Sequence, residues 1–395
     1  MTGGAKTEQY IVTFGGWYQR TTLHLSEIYA FFSQGTSKLG LSPLKLSQFH
    51  KLLDLHEVSR ESGYLEYVHA TSGAGIEIRY YEDGLYILQL QTEDIHQGQQ
   101  ILEQYYERLL APGISYLFSL GAPTPKILAN IKTTHPVVVQ ASTKDHQHFE
   151  VDEKIYGPVY SALTSSDVSV YKTPSHIFVV SGEKKVDGVE TLVDMQIFFR
   201  EFKDQLEKYL NIHRTIWEEI AQIKERKAIS GGEVEGIRAK LDSYQKTISL
   251  ISNRINQMGS YVHTRASVSK DLHVEEQLTT LFQYKFEVLL DTLEYIKEIW
   301  RMTTDYVSQA IAVMNEIQNQ TLNASINSLR TVTTVGVITG IIGYLGIQKF
   351  PQVSSFGTMY FILLLLITWL VNVIVQTVYR ARRYKLSFSE NTTKL

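Results

Sequence analysis

The chain has 395 residues, 44% of them apolar and 20% charged, with a formal charge of −3. That length predicts two or three structural units, and the balance fits a folded body rather than disorder. So small a charge, with no basic stripe carrying interleaved aromatics, argues against a nucleic-acid binder. A cysteine count of 0 excludes disulfides, thiolate metal sites and cysteine nucleophiles.

Met1 to Gln9 is polar and lacks an apolar core, so no signal peptide is expected. Residues 1–185 mix short β-rich runs with helical stretches, which predicts an α/β domain whose strand order is not deducible. The β-rich runs are Tyr10–Phe14, Ile76–Tyr81, Leu85–Leu90, Ser115–Leu120, Val137–Gln140, Val168–Tyr171 and Ile177–Val180. Helical patterns lie at Leu23–Ser33, Leu44–Leu55 and Ile95–Leu110. Gly73-Ala74-Gly75 lacks the lysine and spacing of a phosphate loop and reads as a turn. Asp145-His146-Gln147-His148, followed by Glu150, Asp152 and Glu153, gathers many possible ligands. His146 and His148 would share one face of a strand and could chelate zinc, while an exposed polar loop is the plainer reading. No HExxH, GxSxG or paired-carboxylate arrangement stands out, so no enzymatic step is expected.

From 186 to 268 the pattern is an antiparallel helical hairpin. Its first arm carries Leu206, Leu210, Trp217 and Ile220, and its second Leu241, Ile248 and Ile255. Gly232 to Gly236 marks its tip. A stalk helix is expected over 269–330, capped near Ser269 or Asp271, with Leu289, Leu293, Ile296 and Trp300 on one stripe. No proline falls between Asp271 and Phe350, so this helix would run on unbroken for roughly 110 Å. Such a helix cannot cover its own apolar stripe and needs the hairpin, copies of itself, or both.

Two further apolar runs follow. Residues 331–347 and 359–379 read as a first and a second transmembrane span, joined by an outside loop at 348–358. The tail at 380–395 carries Arg380, Arg382, Arg383 and Lys385, which by the positive-inside rule is cytoplasmic. The expectation is therefore a multi-pass protein of the cell (plasma) membrane, in contact with lipid, with both termini cytoplasmic. The Asn-x-Ser/Thr triplets at Asn319, Asn323 and Asn391 would lie inside and imply no glycosylation.

This order of segments resembles the CorA family of divalent-cation channels: an α/β cytosolic domain plus a long helical stalk and two C-terminal transmembrane helices. The family closes its pore helix with a tyrosine followed by Gly-Met-Asn. The matching stretch here ends Tyr344-Leu345-Gly346-Ile347-Gln348, a divergent Gly-Ile-Gln. The resemblance implies a homo-oligomer, a pentamer by analogy, passing divalent cations passively, magnesium first, under control of the cytosolic domain. Gly346, Ile347 and Gln348 would ring the outer mouth with carbonyls and amides that hold a hydrated ion through its waters. Asn323, Ile326, Leu329, Thr333 and Val337 recur at three- and four-residue steps and would line the pore, with Thr339 as a further hydroxyl ring. Ile326 and Leu329 would form a constriction that gates by dewetting. Arg330 sits beside that face and would snorkel to lipid phosphates.

Glu287 and Asp291 are the expected regulatory metal ligands, where a divalent ion would bridge carboxylates of neighbouring copies. No cofactor is expected; magnesium or another divalent cation would be permeant and regulator. The loop 348–358 holds no acid and contributes Lys349, a positive charge at the outer mouth. That departure keeps two alternatives open: a CorA-like channel of altered selectivity, non-selective or anion-passing, opened by a cytosolic ligand, and a non-conducting membrane-anchored sensor.

Overall fold

A computed structural model describes residues 9–18, 24–63, 65–120, 136–182, 188–226 and 228–345; beyond these it describes 355, 359, 362–363, 366–367, 369–370, 373–374, 377–378 and 383–385. The described chain divides into two compact units, one formed by 1–212 with 250–298, the other by 213–249 with 299–395.

The first unit opens with β1 (Tyr10–Trp17), α1 (Leu25–Gln34), α2 (Pro43–Leu53), β2 (Leu55–Ser62), β3 (Glu66–Ser72), β4 (Glu77–Tyr81) and β5 (Leu85–Thr92). It continues through α3 (Ile95–Tyr105), a π turn at Tyr106–Leu110, α4 (Ala111–Leu117), β6 (Val137–Ser142), α5 (Glu153–Tyr156), β7 (Ser161–Thr164), β8 (Val168–Lys172) and β9 (His176–Ser181). The strands form one nine-stranded sheet in the order β2-β3-β4-β5-β1-β6-β9-β8-β7. All neighbours are antiparallel except β6 and β9, which pair in parallel from Val137 opposite His176 to Ser142 opposite Ser181.

Local chemistry sets the boundaries. Leu25, Ile28, Phe31 and Phe32 give α1 one buried stripe, and Gly35 ends it in the left-handed region at φ 64. Pro43 starts α2, where its missing N–H costs nothing. Asp94 caps α3 by accepting a 3.1 Å bond from the Gln97 amide. Strand β4 shows how the sheet faces two layers. Ile78 and Tyr80 join the core beneath α1 to α4, while Arg79 and Tyr81 reach Asp194 on the helix that covers the opposite face. That helix is α6 (Val189–Glu225), whose first turns bury Leu192, Val193, Ile197 and Phe198. Ile197 lies against Gly15 so closely that a Cβ there would stand 3.2 Å from its Cγ2.

The long helices run through both units: α6, then α7 (Val234–Asp271) after a short strand β10 (Ala228–Ser230), and, past α8 (Glu275–Gln277) and a π turn at Leu278–Phe282, α9 (Phe286–Leu345). Strand β10 pairs antiparallel with β11 (Arg383–Lys385) in the second unit. Within that unit α6 and α7 lie side by side where Lys240 Nζ meets Glu219 at 2.7 Å. Trp217 of α6 stacks on Tyr306 of α9 at 4.4 Å, and the Lys224 ammonium sits 4.0 Å from the same ring centre. Arg238 of α7 hydrogen-bonds Gln318 of α9.

The structure departs from expectation in several places. Ser115–Leu120 closes α4 and a 3₁₀ turn instead of forming a strand, since a short apolar run reads equally as either. Strands β2, β3 and β7 lie outside the expected runs: β2 and β3 carry Glu, His and Ser at several positions, and β7 is only four residues long. Ser269 and Asp271 end α7, and α9 begins at Phe286 after Gln283 turns left-handed at φ 59.

The expectation of two C-terminal transmembrane helices is overturned: among the described residues no helix is long and apolar enough to cross a membrane. Across 359–379 the described residues are single positions and pairs, each of them helical. The plasma-membrane, multi-pass localisation falls on the same finding. The loop 348–358, apart from residue 355, lies outside the described residues.

Candidate functional site

The candidate site is the C-terminal part of α9. From Leu289 to Ile317 this helix buries one residue per turn, including Leu293, Ile296, Trp300, Val307 and Met314. Beyond Ile317 none of its described residues is buried. Asn323 and Thr333 are exposed, and so are Ile326 at 61%, Leu329 at 63% and Val337 at 55%. These five share one face of an unbroken helix, as the three- and four-residue spacing requires. A contiguous row of exposed Ile, Leu and Val is an apolar surface in want of cover.

The polar members of the row, Asn323 and Thr333, both offer an acceptor oxygen. Thr333 donates its hydroxyl to the Leu329 carbonyl at 2.8 Å, which leaves the oxygen's lone pairs facing outward. Thr334 does the same to Arg330 at 2.7 Å, and Arg330 itself is exposed. An outward lone pair and the Asn323 amide suit the water shell of a hydrated cation, whose hydrogens point away from the ion. Thr339 lies on the same helix, but its side chain is not among those described. Gly346, Ile347, Gln348 and Lys349 fall outside the described residues.

Glu287 and Asp291 occupy the first turns of α9, both exposed. Among the described residues no group of three His, Cys, Asp or Glu side chains stands close enough to hold a metal within one chain. The histidine pair also separates. Asp145 caps a 3₁₀ turn at His146–His148, not a strand. His146 is buried and bonds Ser169 Oγ at 2.9 Å and the Ser166 carbonyl at 3.2 Å. His148 is exposed and bonds Asp145 at 2.9 Å, a bond that holds the Asp145 carboxyl below its usual range.

Sequence reasoning missed the most developed electrostatic feature, a buried network in the first unit. The Arg265 guanidinium of α7 bonds both oxygens of Asp83, in the β4–β5 turn, at 2.7 and 3.1 Å, and both side chains are almost fully buried. Its plane lies over Tyr81 at 4.6 Å and Phe198 at 5.1 Å. Tyr81 donates to Asp194 at 2.7 Å, Arg79 donates to the same carboxylate at 2.9 Å, and Arg79 also pairs with Glu190. Burial lowers the Arg265 pKa, but Asp83 outweighs it and the net shift is upward. Burial and then Asp194 raise the Tyr81 pKa well above the usual phenol range. The network pins α6 and α7 to the sheet.

No family model matches the sequence, and no curated protein matches it. Among solved structures, the complete structure of CorA magnesium transporter from Methanocaldococcus jannaschii matches at a TM-score of 0.28 with 9% sequence identity, covering 64% of this chain and 92% of that chain. A likeness at that score does not show the two folds to be the same.

Proposed function

We propose that this protein is a homo-oligomeric conduit for divalent cations, magnesium first, in which copies of α9 gather around a common axis. The observation that supports it is the change of character along one unbroken helix. Below Ile317 the apolar stripe is covered by the chain's own elements; above it, the Asn323, Ile326, Leu329, Thr333 and Val337 face is left bare. In the assembly, this face of each copy meets the others. Asn323 and Thr333 then supply rings of acceptors for a hydrated ion, and Ile326 and Leu329 supply a constriction that dries when narrow. The chain carries out no chemical step.

The experiment is magnesium entry into vesicles prepared with the purified full chain and loaded with a magnesium-sensitive dye. Leu329→Asn wets the constriction and raises flux several-fold; Asn323→Leu removes an acceptor ring and lowers it about tenfold. Chloride entry in place of magnesium would replace the cation reading with an anion one. Vesicles tight to both ions with every variant would leave the conduit without support.

A further inference from the structure

A cavity of about 350 Å³ opens in the first unit, between the first half of α6 and the segment running from the π turn into α9. Its floor is apolar, made by Phe199, Leu206, Phe282, Leu289 and Ile296, all buried. Its shape is fixed by ring contacts: Phe199 stacks flat on Tyr284, centroids 4.2 Å apart and planes 4° apart, and meets Phe286 edge-on at 5.5 Å. Gln283, held left-handed at φ 59, turns the chain around its lip.

The rim carries Lys203, Glu207 and Lys285. In the described structure none of the three forms an ion pair, although all line one opening. Two lysines against one carboxylate leave the mouth one positive charge in excess. A greasy pocket with a singly positive mouth matches one kind of small molecule: an alkyl chain ending in one negative charge.

We infer that this cavity binds a free medium-chain carboxylate, with its head between Lys203 and Lys285 and its chain on the Phe199, Leu206 and Ile296 floor. The inference does not rest on ion conduction, because binding is read with no flux at all. Occupancy would wedge α6 from the start of α9, so the site is a natural place for a small effector to act.

The test is calorimetric titration of the full chain with hexanoate, octanoate and decanoate, beside octanol and octyltrimethylammonium. The carboxylates bind with affinity rising about fourfold per added methylene until the floor is covered. Octanol binds at least tenfold more weakly than octanoate, and the ammonium does not compete. Lys203→Gln with Lys285→Gln, both at the rim and checked for fold by circular dichroism, loses at least tenfold. Val288→Trp, at the exposed lip, abolishes binding by blocking entry. Equal binding of octanol and octanoate, full affinity in the double lysine variant, or no binding by the wild-type chain at millimolar ligand would each overturn the inference.

Discussion

Single side chains carry the sharpest expectations. Arg265 and Asp83 form an ion pair with almost no exposure, so removing one partner strands the other without water. Asp83→Asn should destabilise the first unit by about 3–5 kcal/mol, read as a lower urea midpoint. Arg265→Met combined with Asp83→Leu should restore most of that, since an apolar pair leaves no buried charge. An unchanged midpoint in the single variant would remove the network's structural role. His176 gives a pH expectation. It is 2% exposed, bonds Ser175 Oγ at 2.8 Å through Nδ1, and has His96 and Tyr156 packed around it. Burial, then the His96 ring, pushes its pKa down to about 4 from the ordinary 6.5. The unfolded chain therefore binds the proton first, and stability falls as pH drops from about 6.5 towards about 4, by on the order of 2 kcal/mol after solvent screening. His176→Asn should flatten the stability profile across that window. None of these partners was legible in the sequence: Arg265 and Asp83 are 182 positions apart. Pairings at such distances are made by the fold and not by any local pattern.

Elements were legible where their signal was periodic and long. Strands β1, β4, β5, β6, β8 and β9 and helices α1, α2 and α3 stand close to where alternation and turn residues put them. Strand β2 was lost because its residues are mostly charged or hydroxylated and its ladder slips between His56 and Ser59, the marks of a guarded sheet edge. Helix α2 stops two residues early because Asp54 turns left-handed at φ 48. The start of α9 was placed too early because nothing in the sequence between Asp271 and Phe286 breaks a helix by composition; the breaks are the left-handed turns of His273 and Gln283. The glycine turn at Gly73-Ala74-Gly75 was legible, and Gly75 does turn left-handed at φ 76. Gly84 sits at φ 87, and a Cβ there would stand 2.5 Å from the Tyr18 carbonyl oxygen. Gly84→Ala should therefore cost more than about 1–2 kcal/mol in a thermal or urea melt, beyond the ordinary penalty for a left-handed residue. A melt within error of wild type would mean the β4–β5 turn is less constrained than its geometry indicates.

At the scale of the whole molecule, the face of α9 from Asn323 to Val337 was read from spacing alone, and the described side chains on it are all exposed. Spacing shows which residues share a face; it does not show what covers them, and the triplet Gly346, Ile347 and Gln348 lies outside the described residues. The absence of cysteine makes the question of cover open to direct measurement, because any cysteine introduced is the only one. The measurement is cross-linking of the full chain by a short bismaleimide, with one cysteine placed at Ile326, at Leu329 or, on the opposite helical position, at Ser328. Copies meeting on the proposed face give linked pairs of chains from Ile326→Cys and Leu329→Cys but not from Ser328→Cys. Linking at Ser328 alone, or single chains throughout, would contradict an assembly built around this face of α9.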